Sequence, residues 1–421
     1  MSDSGPCLRG GDDANRILVL GGGPAGGTVA LGLKRLGYQV TLISSPRPFL
    51  ALEGISERVV EGLRSAGFVK ALQYLPNPSP RVANWNGNTS AANTERLVDR
   101  SQLDQTILED LADAGVAVIL GRVLQTEMLT SAQRVLIQQG DDQRWLQACF
   151  VVEARGRAAP LAQLDRVRGC ETLSLLQYWR GAPCTPRSAA QSFDQGWAWM
   201  AAGSDGTRYL QLTLDVASAD LPVKSQLEGY CFRYLSRLDL AEPFMRDAHP
   251  SGRVYARTST PILCYQAVGD NWIRVGDAAM AVDPLSGNGI FQALSSALQA
   301  PAVINTLIKR PYQAELAKRF YQDRLDHLFY RFARIGRDFY HLEASFSKHP
   351  FWQARCRWPD TQPVHPDPDP ASVQAARRPV ICDDFIIEAE VVISNEYPLG
   401  RWHRDGVELA PLLKAMQQKR D

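Results

Sequence analysis

The chain has 421 residues, with 46 basic and 45 acidic side chains, so its near-neutral charge carries no nucleic-acid footprint. No apolar run approaches the roughly 18 residues of a membrane span, and the polar, acidic start MSDSGPCLRGGDDAN lacks the apolar centre of a secretory leader. Eight scattered cysteines (Cys7, Cys149, Cys170, Cys184, Cys231, Cys264, Cys356, Cys382) form no C-x-x-C and no metal-type cluster, which suits small hydrophobes in a reducing cytoplasm.

In chain order, residues 17–20 are a short apolar run, the pattern of a buried parallel strand. Gly21, Gly23 and Gly26 follow at G-x-G-x-x-G spacing, with Pro24 and Ala25 between them. Residues 28–36 read as a helix and 39–43 as a second strand. In that setting one glycine makes the tight turn, one admits a pyrophosphate and one packs helix on strand, while the helix N-terminus offers N–H groups to phosphate. The acidic residue that usually ends the second strand is replaced by Ser44-Ser45, and Ser44 can still hydrogen-bond a ribose. Residues 49–68 look helical, with 53–61 on the solvent side. Residues 75–94, rich in Pro, Asn and Ser, read as an irregular functional loop. A helix is expected to open near Ser101, capped by its hydroxyl, with Arg100 just before it.

Strand-like stretches at 117–120, 122–139 and 145–153 lead to EARGR at 153–157. Short alternating runs from 170 to 260 predict a curved antiparallel sheet. From 272 the α/β pattern returns as a strand, the loop VGDAAMAVDPLSGNGI (275–290) and a long helix. Residues 312–358 look helical and are crowded with aromatics and arginines. HPDPDP (365–370) then links to a small terminal unit around 385–395 and 409–416.

Three of these motifs suit one ligand. The glycine loop takes a pyrophosphate, Arg100 can reach phosphate or flavin, and the 275–290 loop closes the other end. There Asp277 can hydrogen-bond a ribityl chain, while the turn through Pro284, Gly287 and Gly289 brings backbone N–H groups near a flavin pyrimidine edge, where negative charge develops on reduction.

Through GGGPAGG, VDRSQLDQTIL, VVEARGRAAPL and GDAAMAVDPLSGNGI the chain resembles FAD-dependent monooxygenases of the para-hydroxybenzoate hydroxylase type, in the branch holding geranylgeranyl reductases and tryptophan halogenases. The resemblance implies an α/β (α+β) fold. A Rossmann-like FAD-binding domain would span 1–169 and 261–320, an inserted antiparallel-sheet substrate domain 170–260, and a helical C-terminal region with a small terminal unit 321–421. It implies non-covalent FAD on Gly21, Gly23, Pro24, Ala25, Gly26, Ser44, Arg100, Gly276, Asp277, Pro284, Gly287, Asn288, Gly289 and Ile290. The family's ADG-type motif is altered to Ala154-Arg155-Gly156-Arg157. The halogenase W-x-W-x-I-P motif is only half present at 197–202, and no lysine lies in 71–99. Trp197 and Trp199 are therefore expected to be sheet and core residues.

The altered motifs and the aromatic segment 336–360 most resemble bacterial flavoprotein monooxygenases that mature tryptophan-derived quinone cofactors, such as cysteine tryptophylquinone in quinohemoprotein amine dehydrogenase. That likeness implies a cytoplasmic bacterial enzyme that hydroxylates the indole of a tryptophan in a protein or peptide, the precursor of a quinone-cofactor subunit, through a flavin C4a-hydroperoxide. Electrons would come from NAD(P)H or from flavin reduced elsewhere, since no second G-x-G-x-x-G is present. Glu53 and the six histidines, His341, His349 and His403 among them, qualify as general base by type alone, so the catalytic base stays unassigned. A small-molecule flavin enzyme of halogenase or geranylgeranyl reductase type, or a non-catalytic flavoprotein chaperone, stays open.

Overall fold

A computed structural model describes residues 16–47, 49–129, 132–160 and 164–418. The acidic N-terminal stretch with Cys7, and Leu161 of the VVEARGRAAPL motif, lie outside them. The elements run β1 (Arg16–Leu20), α1 (Pro24–Arg35), β2 (Gln39–Ser44), β3 (Leu52–Ile55), α2 (Glu57–Ala66), α3 (Lys70–Tyr74), β4 (Ser79–Trp85), β5 (Asn88–Asp99), α4 (Arg100–Asp113), β6 (Ala117–Leu120), β7 (Arg122–Met128), β8 (Gln133–Gln139), β9 (Asp142–Ala148) and β10 (Phe150–Glu153). Then come β11 (Arg166–Arg168), β12 (Thr172–Arg180), β13 (Arg187–Phe193), β14 (Gly196–Ala202), β15 (Thr207–Asp215), α5 (Leu227–Leu235), α6 (Glu242–Met245), β16 (His249–Thr258), β17 (Ile262–Cys264), β18 (Trp272–Arg274) and β19 (Met280–Ala281). The chain ends with α7 (Gly289–Lys309), α8 (Ala314–His341), α9 (Pro350–Arg357), β20 (Gln374–Cys382), β21 (Phe385–Ile393), β22 (His403–Arg404), β23 (Val407–Glu408) and α10 (Leu409–Gln418).

The apolar run of β1 occupies the centre of a parallel sheet in the order β18-β10-β1-β2-β6. Ile17 and Val19 face a core shared with α1 and α7, while Leu18 and Leu20 face one built from β8 and β9. Burial on both faces is why β1 is uniformly hydrophobic. Gly32 lets α1 lie close against α7: a Cβ there would come within 2.5 Å of Pro301. Among the described residues no helix is long and apolar enough to cross a membrane.

Two expectations change. Residues 49–68 are not one helix: β3 precedes α2, which starts after Ser56. Residues 75–94 are not an irregular loop but the β4–β5 hairpin, turning at Asn86-Gly87 with both residues at positive φ (54° and 72°). That pair is the hairpin signature of a type I′ turn, and its meaning outweighs the Pro/Asn/Ser content around it.

The hairpin also sets the architecture. β4 pairs in parallel with β13, so β3, β4 and β5 extend the antiparallel strands into one eight-stranded sheet, β16-β12-β15-β14-β13-β4-β5-β3. One face packs on α5 and α6 through Trp179, Leu212, Tyr230 and Phe244. The other carries Leu176, Ala201 and Tyr209, flanked by Leu52, Leu97, Tyr178, Trp199 and Tyr255. Helices α8 and α9 close one end of that second face over Trp197. Beyond Arg357 the regular structure is more strand than helix: the β20–β21 hairpin lies on α7 and α8, with Ile386 fully buried in their core.

Candidate functional site

The glycine loop takes its shape from two contacts. Gly21 has φ of +117°, and a Cβ on it would meet the Ala154 carbonyl at 2.4 Å; a Cβ on Gly26 would meet the Gly21 carbonyl at 1.9 Å. Both positions are therefore closed to larger residues. Gly23 differs: its Cβ would find only Arg100 Nη2 and Asp104 Oδ1, each 3.9 Å away. It caps α1, which has Pro24 at its start, no side-chain cap and no acidic residue in its first turn. The positive end of α1 therefore faces an open cradle. Ala25 is buried against Gly276, and Ser44, buried at the end of β2, packs under Gly22.

Asp99, not Ser101, caps α4: its carboxylate accepts from the Ser101 and Gln102 amides, and Arg100 is the first helical residue. Arg100 is buried. Its Nη1 donates to both Glu53 oxygens at 2.9 and 3.0 Å, its Nη2 to Asp104 Oδ1 at 3.2 Å, and its Nε is buried without a partner. Burial acts to lower the Arg100 pKa, but Glu53 and Asp104 outweigh it and hold the guanidinium above the ordinary arginine value. Asp104 also accepts from Arg47 Nε at 2.5 Å, giving a chain of alternating charge along the cradle.

Asp277 follows β18 in a single helical turn, and Gly276 is tied to α7 by its N–H to Ser296 Oγ at 2.9 Å. Burial pushes the Asp277 carboxyl above the usual carboxylate range, opposed chiefly by Arg157, whose Nε lies 3.4 Å away. In the altered motif, Arg155 is paired with Glu153, and Gly156 sits at φ of +61° with Arg157 beside Asp277. The motif has thus exchanged its usual small acidic form for two arginines with definite partners.

The Pro284–Ser286 turn is held from below. Asp283 Oδ1 accepts from the Leu285 amide at 2.9 Å and from the Tyr340 hydroxyl at 3.0 Å. Gly287 has φ of +61°, and Cβ atoms on Gly287 or Gly289 would meet nothing within 4 Å. Asn288 caps α7 and Ile290 packs into the core. The glycine loop, Arg100 and Gly276-Asp277 are thus brought together from β1, β5, β10 and β18, with backbone open at Gly23, and the 284–290 segment has open backbone at Gly287 and Gly289.

Sequence reading missed the wall opposite. Tyr178 and Tyr209 meet edge to face at 5.4 Å, and Trp199 and Tyr209 at 5.2 Å; burial raises the pKa of both tyrosines. Glu95, buried beneath them, accepts from Ser188 Oγ and from Trp199 Nε1 at 3.3 Å, with Arg81 at 3.7 Å. Glu53 joins wall and cradle: its charge is felt at Tyr178, Tyr209 and Asp277. No local pattern marks these residues, because they converge only when β3 and β5 join the sheet. Trp197 and Trp199 are sheet residues, Trp197 packed in the aromatic core and Trp199 in the wall. His341, His349 and His403 are exposed, away from the cradle.

The lycopene cyclase protein family matches residues 16–195. A solved structure described as the peptidyl tryptophan dihydroxylase QhpG, essential for tryptophylquinone cofactor biogenesis, is 50% identical to this chain, covers 97% of it and 94% of itself, and superposes with a TM-score of 0.88. The flavin-dependent halogenase CmlS shares the fold, with a TM-score of 0.78 at 16% identity over 96% of this chain and 88% of that one. The tryptophan 2-halogenase of Chondromyces crocatus is 25% identical over 81% of this chain and 70% of that protein.

Proposed function

We propose that this chain, which belongs to the family of peptidyl tryptophan dihydroxylases required for tryptophylquinone cofactor biogenesis, is an FAD-dependent monooxygenase that hydroxylates a tryptophan side chain within a polypeptide. The observation that carries the reading is 50% identity sustained over 97% of the chain. The cradle fits FAD on its own evidence. The positive end of α1 is uncapped, Gly23, Gly287 and Gly289 leave open backbone, and Arg100 Nε is buried without a partner. On this reading Gly21, Gly23, Pro24, Ala25 and Gly26 take the pyrophosphate, Ser44 a ribose, Gly276 and Asp277 the ribityl chain, and the 284–290 backbone the flavin edge. Arg100, with its Nε unpartnered, would reach phosphate or flavin.

FAD, when bound and reduced, supplies the oxygen activation; the side chains do the rest. Tyr178, Trp199, Tyr209 and Tyr255 offer ring faces that pack an indole and exclude water. A general base would help take the ring proton as aromaticity returns, and the carboxylates near the wall are the candidates. Glu95 already accepts from two donors with Arg81 beside it, and Asp277 faces Arg157. Glu53 and Asp277 are each 36% exposed and each face one arginine; Glu53, whose charge reaches Tyr178 and Tyr209 of the wall, is the candidate to accept that proton. Electrons come from NAD(P)H or a separately reduced flavin, and the polypeptide is the precursor of a quinone-cofactor subunit.

The test is mass spectrometry of a tryptophan-bearing polypeptide incubated with the enzyme, reduced flavin and oxygen. One or two added oxygens on a single tryptophan, with free tryptophan a poor substrate, is the expected result. Chlorination of free tryptophan in the presence of halide would replace this reading with a halogenase. A partner bound but chemically unchanged would replace it with a chaperone.

A further inference from the structure

The side chain of Glu95, on β5, ends beneath the aromatic wall. Its Oε1 accepts from Ser188 Oγ on β13 and from Trp199 Nε1 on β14, the latter at 3.3 Å. One carboxylate thus reaches past β4 and β13 to β14, the order in which those strands lie in the sheet. Ser79 Oγ on β4 holds the Glu95 backbone carbonyl at 2.9 Å. Strand β3 makes room with Gly54, where a Cβ would come within 2.1 Å of Glu95 Oε2. The carboxylate is buried, yet the cation beside it, Arg81 Nη1, stops at 3.7 Å, beyond good hydrogen-bond distance.

Trp199 is the one residue of β14 that is not fully buried, and it packs against two clusters. On one side are Leu176, Ala201 and Tyr209 of the wall. On the other are Trp197, Tyr340 and Trp352, a cluster that Leu285 of the flavin-edge turn also joins. The Trp199 ring therefore stands between the wall and the turn that presents Gly287 and Gly289. A partly buried indole has several staggered rotamers open to it, and a hydrogen bond to its single polar atom selects one. Tyr209, by contrast, donates to the neutral amide oxygen of Gln211, at 2.9 Å on its own strand. A bond to a carboxylate is roughly twice as strong as a neutral one. Burying a carboxylate without a closely bonded cation costs stability, and proteins carry such costs at sites where orientation counts.

We infer that Glu95 is a positioning residue: it pins the Trp199 indole in one orientation, and that ring sets the angle at which the target tryptophan stacks and hence which indole carbon receives oxygen. The inference rests on the hydroxylase reading for the chemistry, and on the Glu95–Trp199 bond for the pinning. Glu95 moves no proton in this role.

The variants are compared as full-length, FAD-loaded protein. The near-UV circular dichroism of Trp199 is isolated in each background by subtracting the spectrum of the same protein carrying Trp199→Phe. Glu95→Gln keeps an oxygen for the Trp199 N–H and should retain that signal. Glu95→Met removes the oxygen, and Gly54→Ala puts a methyl where the carboxylate lies; each should lose most of the signal. On a tryptophan-bearing peptide these two variants should lower kcat roughly a hundredfold while KM changes less than about tenfold, and should spread oxygen over several ring positions. Added to Trp199→Phe, Glu95→Met should do nothing more, because the pair acts as one unit. Gly54→Ala carries the test should Glu95→Met fail to retain flavin. A Trp199 signal that survives Glu95→Met and Gly54→Ala, or that Glu95→Gln loses as fully, overturns the inference. So does an equal loss of turnover from Glu95→Met with and without Trp199, which would make the carboxylate only a strap between strands. If the signal behaves as expected but the wild type transfers no oxygen to any peptide, the pinning stands and the hydroxylase reading falls. A single oxygenation position shared by the wild type and every variant does the reverse.

Discussion

Gly23 and Gly26 stand three residues apart in one motif and have opposite surroundings. Beside Gly26 there is no room for a methyl group, since the Gly21 carbonyl would be 1.9 Å away; beside Gly23 there is open space. Gly26→Ala is therefore expected to cost roughly 1–3 kcal/mol of stability through overpacking. Gly23→Leu should melt close to wild type yet copurify without FAD, because its side chain fills the cradle. Thermal unfolding alongside the visible flavin spectrum separates the two. Glu53→Gln keeps an acceptor for Arg100 but no longer takes up a proton. Turnover on a tryptophan polypeptide should fall about a hundredfold, with FAD content unchanged. Unchanged turnover would remove Glu53 from the mechanism. Arg100 itself proves more embedded than its position before a helix suggests: it is buried between two carboxylates, so its truncation disturbs both fold and cradle.

The 284–290 segment depends on a side chain 57 residues beyond Asp283. Tyr340 of α8 donates to Asp283, whose carboxylate also caps the turn that presents Gly287 and Gly289. Burial pushes the Asp283 carboxyl up, while Arg355, the Leu285 amide and the Tyr340 hydroxyl pull it down. Tyr340→Phe removes one donor to the charged form, so the carboxyl moves further up. A group whose folded pKa lies above its unfolded value binds more protons when folded, and that stability is lost as pH rises through the folded pKa. The variant is thus expected to lose roughly 1–2 kcal/mol against wild type at neutral pH. The deficit should shrink as the solution is acidified and Asp283 is protonated in both. Denaturant unfolding at several pH values reads this, and FAD affinity should fall in parallel. Local signals were the legible ones. The glycine loop, β1, α1 and the Pro284–Gly289 turn follow from spacing alone, because their conformation is set by neighbours in the chain. The Asn86-Gly87 turn was equally local but was masked by the composition around it. Glu95, Tyr178, Tyr209 and the Tyr340–Asp283 bond were beyond reach, since each depends on contacts tens to hundreds of residues apart.

Across the whole molecule the C-terminal unit is less separable than its Pro/Asp linker suggests. Ile386 is fully buried, its N–H donates to Thr306 Oγ1 at 2.8 Å, and Asn305 Nδ2 donates to the Asp384 carbonyl at 2.9 Å. Both partners belong to α7, the helix that starts at the flavin-edge loop. Removing residues 361–421 is therefore expected to lower the melting temperature and FAD occupancy together. Removal of 396–421, which spares Ile386, should leave FAD occupancy near wild type; calorimetry and flavin absorbance compare the two. The eight-stranded sheet takes three strands from before residue 100 and five from beyond residue 171. Its backbone hydrogen bonds run unbroken across what would otherwise be a seam between two lobes. Opening the site by a hinge at that seam would rupture a ladder of those bonds, so the enzyme is the stiff partner and conformational adjustment falls to the substrate. A tryptophan buried inside a finished fold could not be presented to such a site. Hydroxylation is then expected on a tryptophan that the target polypeptide exposes or carries on a flexible segment.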